Sequence, residues 1–362
     1  HGATAPLDFK NKEEKYTAQH ANGTGPFMLV SRQPDVKTTF RRNPNWWGRF
    51  DGNVQEVSYV PIKSDATRTA ALLSGELDFV LDPPVQDLER IRANPATQVI
   101  EGIENRVLFI GMDQGRDELL YSDVKGKNPF KDLRVRQAFL QAIDIEAIKT
   151  KVMRNMSAPT AMMVGKGIEG WEAGFKRLPY DPNAAKKLLA DAGYPNGFEV
   201  QLDCPNDRYV NDEAICLAVV PMLARIGVTV KLFAQTKGKH FDKIGLKENR
   251  NTSFFMLGWT PGTYDGHNAL FNLMTMRAKG SGSNNSGAYT NPKVEDLSEK
   301  IEVETDPKKR LEMMHEAFRI HKEDFGHLPL HQQALAWGVR DTVAEIAQRP
   351  YNDVDLRFVT MK

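Results

Sequence analysis

Apolar and polar positions alternate along the first part of the chain in a way that predicts strands and helices in turn. Val54–Pro61 alternates as a half-buried strand does, and Leu77–Leu81 is a short, mostly apolar run. Between them, Asp65 can cap a helix over Ala66–Ser74 that stops at a glycine. Val107–Met112 is a further apolar strand. Strands and helices in this order predict an α/β fold.

From about residue 130 onward, helical and strand patterns alternate again. Asp132 can cap a helix whose apolar face begins with Val135 and Phe139. Ala142 and Ile143 continue that face at three- and four-residue spacing. Further helices are predicted over 181–193, 212–226 and 307–325, strands over 198–203, 228–233 and 252–258, and a strand pair over 328–339.

Bulk composition narrows the possible classes of function. The 362 residues are 41% apolar and 26% charged, which is ordinary for a globular protein. Lys and Arg number 48 against 47 Asp and Glu, so a net charge of +1 gives no basic excess for nucleic acid or for an anionic membrane surface. The sequence has no apolar run of about 18 residues, the length that spans a bilayer. No signal peptide is visible, and we expect the N-terminus of a chain that opens with His1 to have been cleaved, trimmed or left out.

Motifs of the common enzyme classes are missing from the sequence. It contains neither a GxxxxGKS/T phosphate loop nor a GxGxxG after a strand, and no GxSxG or Cys–His pairing that indicates covalent catalysis. We therefore expect no cofactor and no catalytic residues. The two cysteines, Cys204 and Cys216, fit no CxxC motif, and both a disulfide and a pair of half-buried free thiols remain open.

The histidines do not indicate a metal site. His327 and His331 have the spacing of metal ligands on a helix, but Pro329 between them and the alternating context predict a strand without a third ligand. His315 and His321 fall on a predicted helix with charged neighbours, so we expect both to be solvated. No metal is therefore expected.

Four blocks of sequence occur in a characteristic order. They are Gly23–Phe27 (GTGPF), Asn128–Ile148 (NPFKDLRVRQAFLQAIDIEAI), Tyr180–Phe198 (YDPNAAKKLLADAGYPNGF) and Met222–Val230 (MLARIGVTV). Together they resemble the bacterial extracellular solute-binding proteins of family 5, the peptide-, opine- and nickel-binding receptors of ABC importers. One block alone would be a weak signal, whereas four in order form a specific one.

The resemblance implies an α/β fold of the periplasmic-binding-protein type, with two lobes and a ligand cleft between them. We expect residues 1–108 and 336–362 to form a partial first lobe and residues 109–335 to form the second lobe. Members of the family carry a further segment before the first block, so the first lobe is expected to be incomplete.

The resemblance also implies a function without chemistry. The chain would capture a small-molecule or peptide-like solute by lobe closure and deliver it to an ABC permease, as a monomer that binds no nucleic acid. It would be periplasmic, or tethered outside the membrane of a single-membrane bacterium. The alternative is a hydrolase of peptides or glycosides that uses carboxylates such as Asp207 and Asp265 as acid and base.

A polar and aromatic loop over Gly258–Asn268 is the first candidate site, because a predicted apolar strand leads into it. Trp259 and Tyr264 are suited to enclose a ligand, and Thr260 and Asp265 add polar groups. In the family, the loop at this position lines the ligand cleft. The structural alternative is a tight surface turn with a packed Trp.

The same loop departs from the family pattern at one position. In the dipeptide-binding branch it carries an aspartate that binds the α-amine of the ligand, and this chain has Gly262 there. A buried ammonium needs a carboxylate. Ordinary amine recognition is therefore in question, unless Asp265 substitutes from three residues further on.

The second candidate site lies between a predicted strand and a predicted helix. Asn206, Arg208 and Tyr209 are its candidate ligand contacts, and the free N–H groups of the following helix favour anions. Arg208 matches an arginine that holds the peptide carboxylate in the dipeptide-binding branch. The structural alternative is an internal network of Arg208 with Asp207 and Asp212.

Overall fold

The computed structural model describes residues 21–245, 250–277 and 280–362. The chain folds into two compact units, one formed by the chain up to Glu101 together with Ala336–Lys362 and the other by Gly102–Leu335. Both boundaries fall inside strands. The strands are β1 (Phe27–Gln33), β2 (Lys37–Arg42), β3 (Glu56–Tyr59), β4 (Phe79–Leu81), β5 (Thr97–Met112), β6 (Ser157–Pro159), β7 (Glu199–Pro205), β8 (Thr229–Gln235), β9 (Phe254–Trp259), β10 (His327–Arg340), β11 (Val343–Glu345) and β12 (Thr360–Met361).

The described helices are short to medium in length, and none of them has the length and apolar character needed to cross a membrane. Single turns of 3-10 or π helix lie at Val85–Asp87, Pro129–Lys131, Ile148–Val152, Leu270–Met274 and Leu356–Phe358. The α-helices are α1 (Asp65–Ser74), α2 (Leu88–Ala93), α3 (Leu133–Ala142), α4 (Ile145–Ala147), α5 (Pro182–Asp191), α6 (Asp212–Ala224), α7 (Lys237–Ile244), α8 (His267–Ala269), α9 (Pro292–Val303) and α10 (Pro307–Glu323).

The first unit contains a three-stranded antiparallel sheet with the order β1-β2-β3. Phe40 in the central strand pairs with Leu29 on one side and with Val57 on the other. β4 pairs in antiparallel fashion with the last part of β10, where Trp337 lies opposite Leu81. Trp337 is fully buried and anchors the apolar core of this unit, whose other buried members are Val54, Val339, Val343 and Val359.

Helix α1 is capped one residue earlier than the sequence pattern predicts. The side chain of Ser64 accepts a hydrogen bond from the backbone N–H of Thr67 at 3.3 Å, whereas Asp65 is already helical and forms an ion pair with Arg68. Ser and Asp are both favourable N-cap residues. When the two are adjacent, the sequence does not show which of them caps the helix. Gly75 ends α1 with a left-handed φ of 89°, as predicted.

The sheet of the second unit has the strand order β10-β5-β9-β7-β8. β5 runs antiparallel to β9, and Val107 lies opposite Trp259. β7 runs parallel to β8 and also to β9, with Asp203 opposite Phe255. Because parallel strands point the same way, β7, β8 and β9 present their carboxyl ends at the same edge of the sheet.

The helix predicted after Asp132 is confirmed as α3. The Asp132 carboxylate accepts a hydrogen bond from the backbone N–H of Arg134 at 2.9 Å, which satisfies a free donor of the first turn. Val135, Phe139 and Ala142 are fully inaccessible and belong to the main apolar cluster of the unit. The three- and four-residue spacing of these side chains therefore marked the buried face correctly.

Cys204 and Cys216 form a disulfide with an S–S distance of 2.06 Å. Cys204 lies in β7 and Cys216 in α6, so the bond joins the elements on either side of residues 206–211. Of the two possibilities that the sequence left open, the structure has the disulfide. The connection that carries Arg208 is consequently held at both ends.

β10 is one strand of 14 residues, so the predicted strand pair over 328–339 is wrong. The polar residues Gln332 and Gln333 interrupt its apolar run, but both are buried within the strand. The side-chain amide of Gln332 donates to the backbone carbonyls of Glu104 and Lys166 at 2.8 and 2.9 Å. These internal partners compensate for the burial of the amide.

The prediction that His321 is solvated is also wrong. His321 is 3% exposed, and its Nε2 lies 2.8 Å from Nδ1 of His327, which is equally buried. Burial lowers the pKa of His321 to about 3, and it lowers the pKa of His327 well below the usual value. The pair is therefore neutral and belongs to the packed interior.

Candidate functional site

The predicted site residues lie in two loops that follow parallel strands, except Trp259, which is the last residue of one of these strands. β7 ends at Pro205 and leads into the loop 206–211, and β9 ends at Trp259 and leads into the loop 260–266. In open α/β sheets, ligands bind outside the carboxyl ends of the strands. The two loops therefore occupy the edge of the sheet where a ligand site is expected.

Tyr209 joins the two loops. Its hydroxyl accepts a hydrogen bond from the backbone N–H of Gly258 at 2.9 Å and lies 3.4 Å from the carbonyl oxygen of the same residue. The side chain is 7% exposed, and burial raises the pKa of its phenol. Sequence reasoning predicted Tyr209 as a ligand contact, and the structure places it as a bridge between the ends of β7 and β9.

Gly258 is required at the point where Tyr209 approaches β9. A Cβ on Gly258 would lie 2.7 Å from a methyl of Leu108, 2.8 Å from the Tyr209 ring and 3.0 Å from the side chain of Arg106. These separations are shorter than van der Waals contact. A larger residue at this position would push the loops apart.

Two guanidinium groups lie against the Tyr209 ring. The guanidinium carbon of Arg208 is 5.0 Å from the ring centroid, and that of Arg106 is 5.5 Å from it. Arg106 comes from β5, and its Nε donates to the hydroxyl of Thr260 at 3.2 Å. Arg106, missed by sequence reasoning, therefore contacts Thr260 and the same Tyr209 ring as Arg208.

The structure does not support the internal network that was the alternative for Arg208. The Asp212 carboxylate accepts hydrogen bonds from the backbone N–H groups of Arg208, Tyr209 and Glu213 at 2.9 to 3.0 Å. Asp207 accepts one from the backbone N–H of Lys237. Within the described parts of the chain, no carboxylate forms an ion pair with the Arg208 guanidinium.

The Asp212 carboxyl at the start of α6 is buried behind the loop that carries Arg208. Burial raises the pKa of the Asp212 carboxyl, while the three backbone N–H groups that it accepts oppose the rise. Asp212 lies behind the loop as its internal cap, 4% exposed, whereas Arg208 is only partly covered. Asn206 is exposed at the beginning of the same loop.

Trp259 and Thr260 begin the second loop and are half-buried. The Trp259 indole packs against an apolar cluster of its own unit, and its Nε1 donates to the side chain of Asn268 at 3.0 Å. Tyr264 is 45% exposed and has a left-handed φ of 58°. Of the two aromatic residues predicted to enclose a ligand, Tyr264 is thus the more accessible.

Asp265, the residue that could substitute for the carboxylate missing at Gly262, has contacts inside the second unit. Its oxygens accept two hydrogen bonds from the Arg310 guanidinium, at 2.6 and 3.3 Å, and one from the backbone N–H of His267. The negative charge of Asp265 is therefore already compensated inside the second unit. His267 is directed towards Ser298, 2.9 Å from its carbonyl, and burial lowers the pKa of the imidazole.

The buried carboxylate of Glu104 forms an ion pair with Arg106. Glu104 is fully inaccessible, and its Oε1 lies 2.9 Å from Nη2 of Arg106. The other oxygen accepts a hydrogen bond from the side-chain amide of Gln333 at 2.7 Å. The chain of contacts from Gln333 through Glu104 to Arg106 links β10 with the edge of the sheet.

A cavity of about 470 Å³ lies elsewhere in the second unit. Trp171 and Phe175 line it together with the charged side chains of Glu146, Glu172 and Lys176. None of the predicted site residues lies in its wall. The cavity and the two loops are therefore separate candidates for a binding site.

Metal binding has no support within the described residues, which contain no group of three or more His, Cys, Asp or Glu side chains that could hold an ion. The structure also gives no support to the hydrolase alternative, because the carboxylates of Asp207 and Asp265 both accept hydrogen bonds from other residues of the second unit. The structure places Arg106 against Tyr209 and Thr260, and it places Arg208 against the same Tyr209 ring. Two guanidinium groups beside one ring can bind an anionic group.

Known proteins with similar sequences are named as binding proteins. The chain is 34% identical over 178 residues to the heme-binding protein A of Haemophilus influenzae, covering 49% of this chain and 30% of the relative. It is 24% identical over 336 residues to the glutathione-binding protein GsiB of Salmonella paratyphi A, covering 91% of this chain and 63% of the relative. The chain thus spans less than two thirds of the length of each.

The fold agrees with that of a solved periplasmic binding protein. The structure of DppA from Helicobacter pylori, in complex with the peptide STSA, superposes with a TM-score of 0.82 at 22% identity, over 94% of this chain and 63% of that one. The sequence profile described as "Bacterial extracellular solute-binding proteins, family 5 Middle" matches residues 2–281. The chain therefore belongs to the bacterial extracellular solute-binding proteins of family 5.

Proposed function

We propose that this chain is the solute-binding part of an ABC importer and captures a small peptide-like or polar solute without chemical conversion. Family membership supports the class of function, and the relatives are named for what they bind. The observation that carries the proposal is the Arg208 guanidinium, which lies near the carboxyl ends of the parallel strands β7 and β9 without a carboxylate partner among the described residues. Such a group is suited to hold an anionic solute.

The solute contacts are assigned to the two loops at the ends of β7 and β9. Arg208 would hold an anionic group, since a planar guanidinium fits a carboxylate with two parallel hydrogen bonds. Asn206 and Thr260 would donate or accept further hydrogen bonds, and Trp259 and Tyr264 would cover apolar parts of the solute. Tyr209 would act chiefly by holding the loops together, and Asp265 by holding the second loop through Arg310.

The charged side chains present in the two loops indicate the class of solute. An anionic end is provided for by Arg208, whereas the carboxylate that binds an α-amine in the dipeptide-binding branch is absent at Gly262. Glutathione and short peptides, the ligands in the names of two similar proteins, both carry a carboxylate. We therefore propose a carboxylate-bearing solute whose amine, if it has one, is not the main point of recognition.

Location and partners are part of the same proposal. The chain would act outside the cytoplasmic membrane, in the periplasm or tethered to the outer side of that membrane, and would pass its solute to an ABC permease. It would work as a monomer and bind no nucleic acid, which agrees with a net charge of only +1. Residues 1–108 with 336–362, and residues 109–335, would act as the two lobes.

Native mass spectrometry of the purified chain tests the function. We expect a stoichiometric, chemically unmodified solute to leave the protein on denaturation. Incubation with pools of peptides and glycosides should show no product beyond one equivalent. Repeated turnover of any of them would contradict the proposal in favour of the hydrolase alternative.

A further inference from the structure

Arg106 is not among the site residues predicted from the sequence, yet it contacts both loops of the candidate site. Its guanidinium lies 5.5 Å from the Tyr209 ring, its Nε donates to Thr260, and its aliphatic part lies beside Gly258. The side chain is 13% exposed. A side chain that touches three residues of a site and still reaches solvent can take part in recognition.

Arg106 and Arg208 differ in whether a nearby carboxylate compensates the charge of the guanidinium group. Arg106 is compensated by the fully buried Glu104, 2.9 Å away, and that carboxylate is fixed in turn by Gln333. Arg208 has no such partner among the described residues. The pair of arginines with Glu104 therefore carries one net positive charge, although it presents two guanidinium groups.

We propose that Arg106 is a second specificity-determining residue, which works with Arg208 to select a solute with a single anionic group at this position. The inference rests on the proposed function and names the class of group that the site accepts. Glu104 and Gln333 position Arg106, and Glu104 sets the net charge. A neutral group would leave Arg208 uncompensated, and a second anionic group would meet the negative charge of Glu104.

The test compares a carboxylate with its amide in the same peptide. The probes are the peptide Ser-Thr-Ser-Ala and its C-terminal carboxamide, with reduced glutathione as a second carboxylate probe, each titrated into the full chain by calorimetry. We expect the unmodified chain to prefer the acid over the amide by about tenfold or more, since a hydrogen bond to a charged group is stronger than one to a neutral group.

Removing Arg106 alone would leave the buried Glu104 carboxylate without the guanidinium that compensates its charge, and the chain would risk unfolding. The double variant Glu104→Gln/Arg106→Gln avoids this, because both charges disappear and the side chains remain able to form hydrogen bonds. The net charge stays at +1 because Arg208 is unchanged, but one of the two guanidinium groups is gone. We therefore expect the variant to lose part of the preference for the acid while retaining affinity for the amide. Glu104→Gln alone should raise the preference, since Arg106 is then no longer compensated.

The control is Arg225→Gln, which removes an exposed arginine beyond the end of α6. It should leave the acid-to-amide ratio unchanged. Two results together would overturn this inference but leave the proposed function intact. The double variant would keep the preference for the acid over the amide, and Arg208→Gln would lose it. If Arg208→Gln has no effect, or the unmodified chain binds neither Ser-Thr-Ser-Ala nor glutathione, the proposed carboxylate-binding function itself fails.

Discussion

At the scale of single residues, sequence reasoning found Arg208 but not Arg106. Arg208 was identified because it lies in a short polar loop within a matched family pattern, which is a local signal. Arg106 comes next to the predicted site residue Thr260 only through the pairing of β5 with β9, which places Val107 opposite Trp259. A contact between residues 106 and 260 has no local signature, because strand pairing of this kind is decided by the whole sheet.

Arg208 provides the sharpest prediction at this scale. Arg208→Ala should weaken binding of the Ser-Thr-Ser-Ala probe by about 2–5 kcal/mol, because the carboxylate of the probe would be left without its charged partner. Arg208→Lys should also lose affinity, since an ammonium group cannot form the two parallel hydrogen bonds of a guanidinium. Calorimetry measures both variants. Equal affinity in Arg208→Lys and the unmodified chain would show that a point charge suffices.

His331 provides a prediction about pH and stability. Its ring is fully inaccessible, neither nitrogen has a hydrogen-bond partner among the described residues, and burial lowers the pKa to about 4. Because this pKa is below the unfolded value of about 6.5, the folded state favours the neutral ring. The contribution of His331 to the free energy of unfolding should therefore be constant well above pH 6.5 and fall as the pH drops from there towards 4.

His331→Leu checks this sign. The variant should match or exceed the stability of the unmodified chain at pH 7, because it removes two uncompensated polar atoms. The loss of stability between pH 7 and pH 5 should shrink by about 2 kcal/mol, which is the share of one such histidine. Urea unfolding at several pH values measures this difference. A pH dependence identical to that of the unmodified chain would show that His331 does not titrate as described.

At the scale of elements, the strong periodic patterns predicted type and position well. The α3 helix and its Asp132 cap are as expected, because an apolar face and a cap are both local features. β10 was interpreted incorrectly because Gln332 and Gln333 interrupt its apolar run, and their partners Glu104 and Lys166 are distant in sequence. His321 was misjudged for a similar reason, since the partner that stabilises it in the interior is His327 on another element.

Substitution of Gly258 tests whether Tyr209 must approach β9 closely to hold the ends of β7 and β9 together. Gly258→Ala should destabilise the second unit and weaken probe binding together, because its Cβ would overlap the Tyr209 ring and Leu108. We expect a loss of stability of about 1–3 kcal/mol, as for other overpacked sites. Thermal unfolding and calorimetry measure the two effects.

A second glycine gives the matched control. Gly238 lies in the helix α7, and a Cβ there would meet nothing within 4 Å. Gly238→Ala should therefore keep or slightly raise stability, by up to about 1 kcal/mol, and should leave binding unchanged. If the two variants behave alike, the contact between Tyr209 and β9 is not needed to hold the loops.

The disulfide leads to a further prediction for the loop 206–211. Reduction of the bond between Cys204 and Cys216 releases one of the constraints on either side of Arg208. We expect reduction to lower the free energy of unfolding by about 2–4 kcal/mol. Binding of Ser-Thr-Ser-Ala should weaken in parallel, whereas reduction should have no effect on binding if the loop is held by Asp212 and Tyr209 alone.

At the scale of the whole molecule, the family could be inferred from four sequence blocks and is confirmed by a profile match over residues 2–281. The site could be inferred only in part, because the blocks identify a fold whereas the solute is selected by side chains that differ between members. Gly262 shows this difference directly. The assignment of the two lobes remains a proposal.

The central claim is that the edge formed by β7 and β9, with Arg208, is where a carboxylate-bearing solute binds. A crystal structure of the chain grown with Ser-Thr-Ser-Ala tests it most directly. We predict that a carboxylate of the peptide lies within hydrogen-bond distance of the Arg208 guanidinium, close to Thr260. A peptide bound instead in the separate cavity beside Trp171 and Phe175, with Arg208 unoccupied, would contradict the claim.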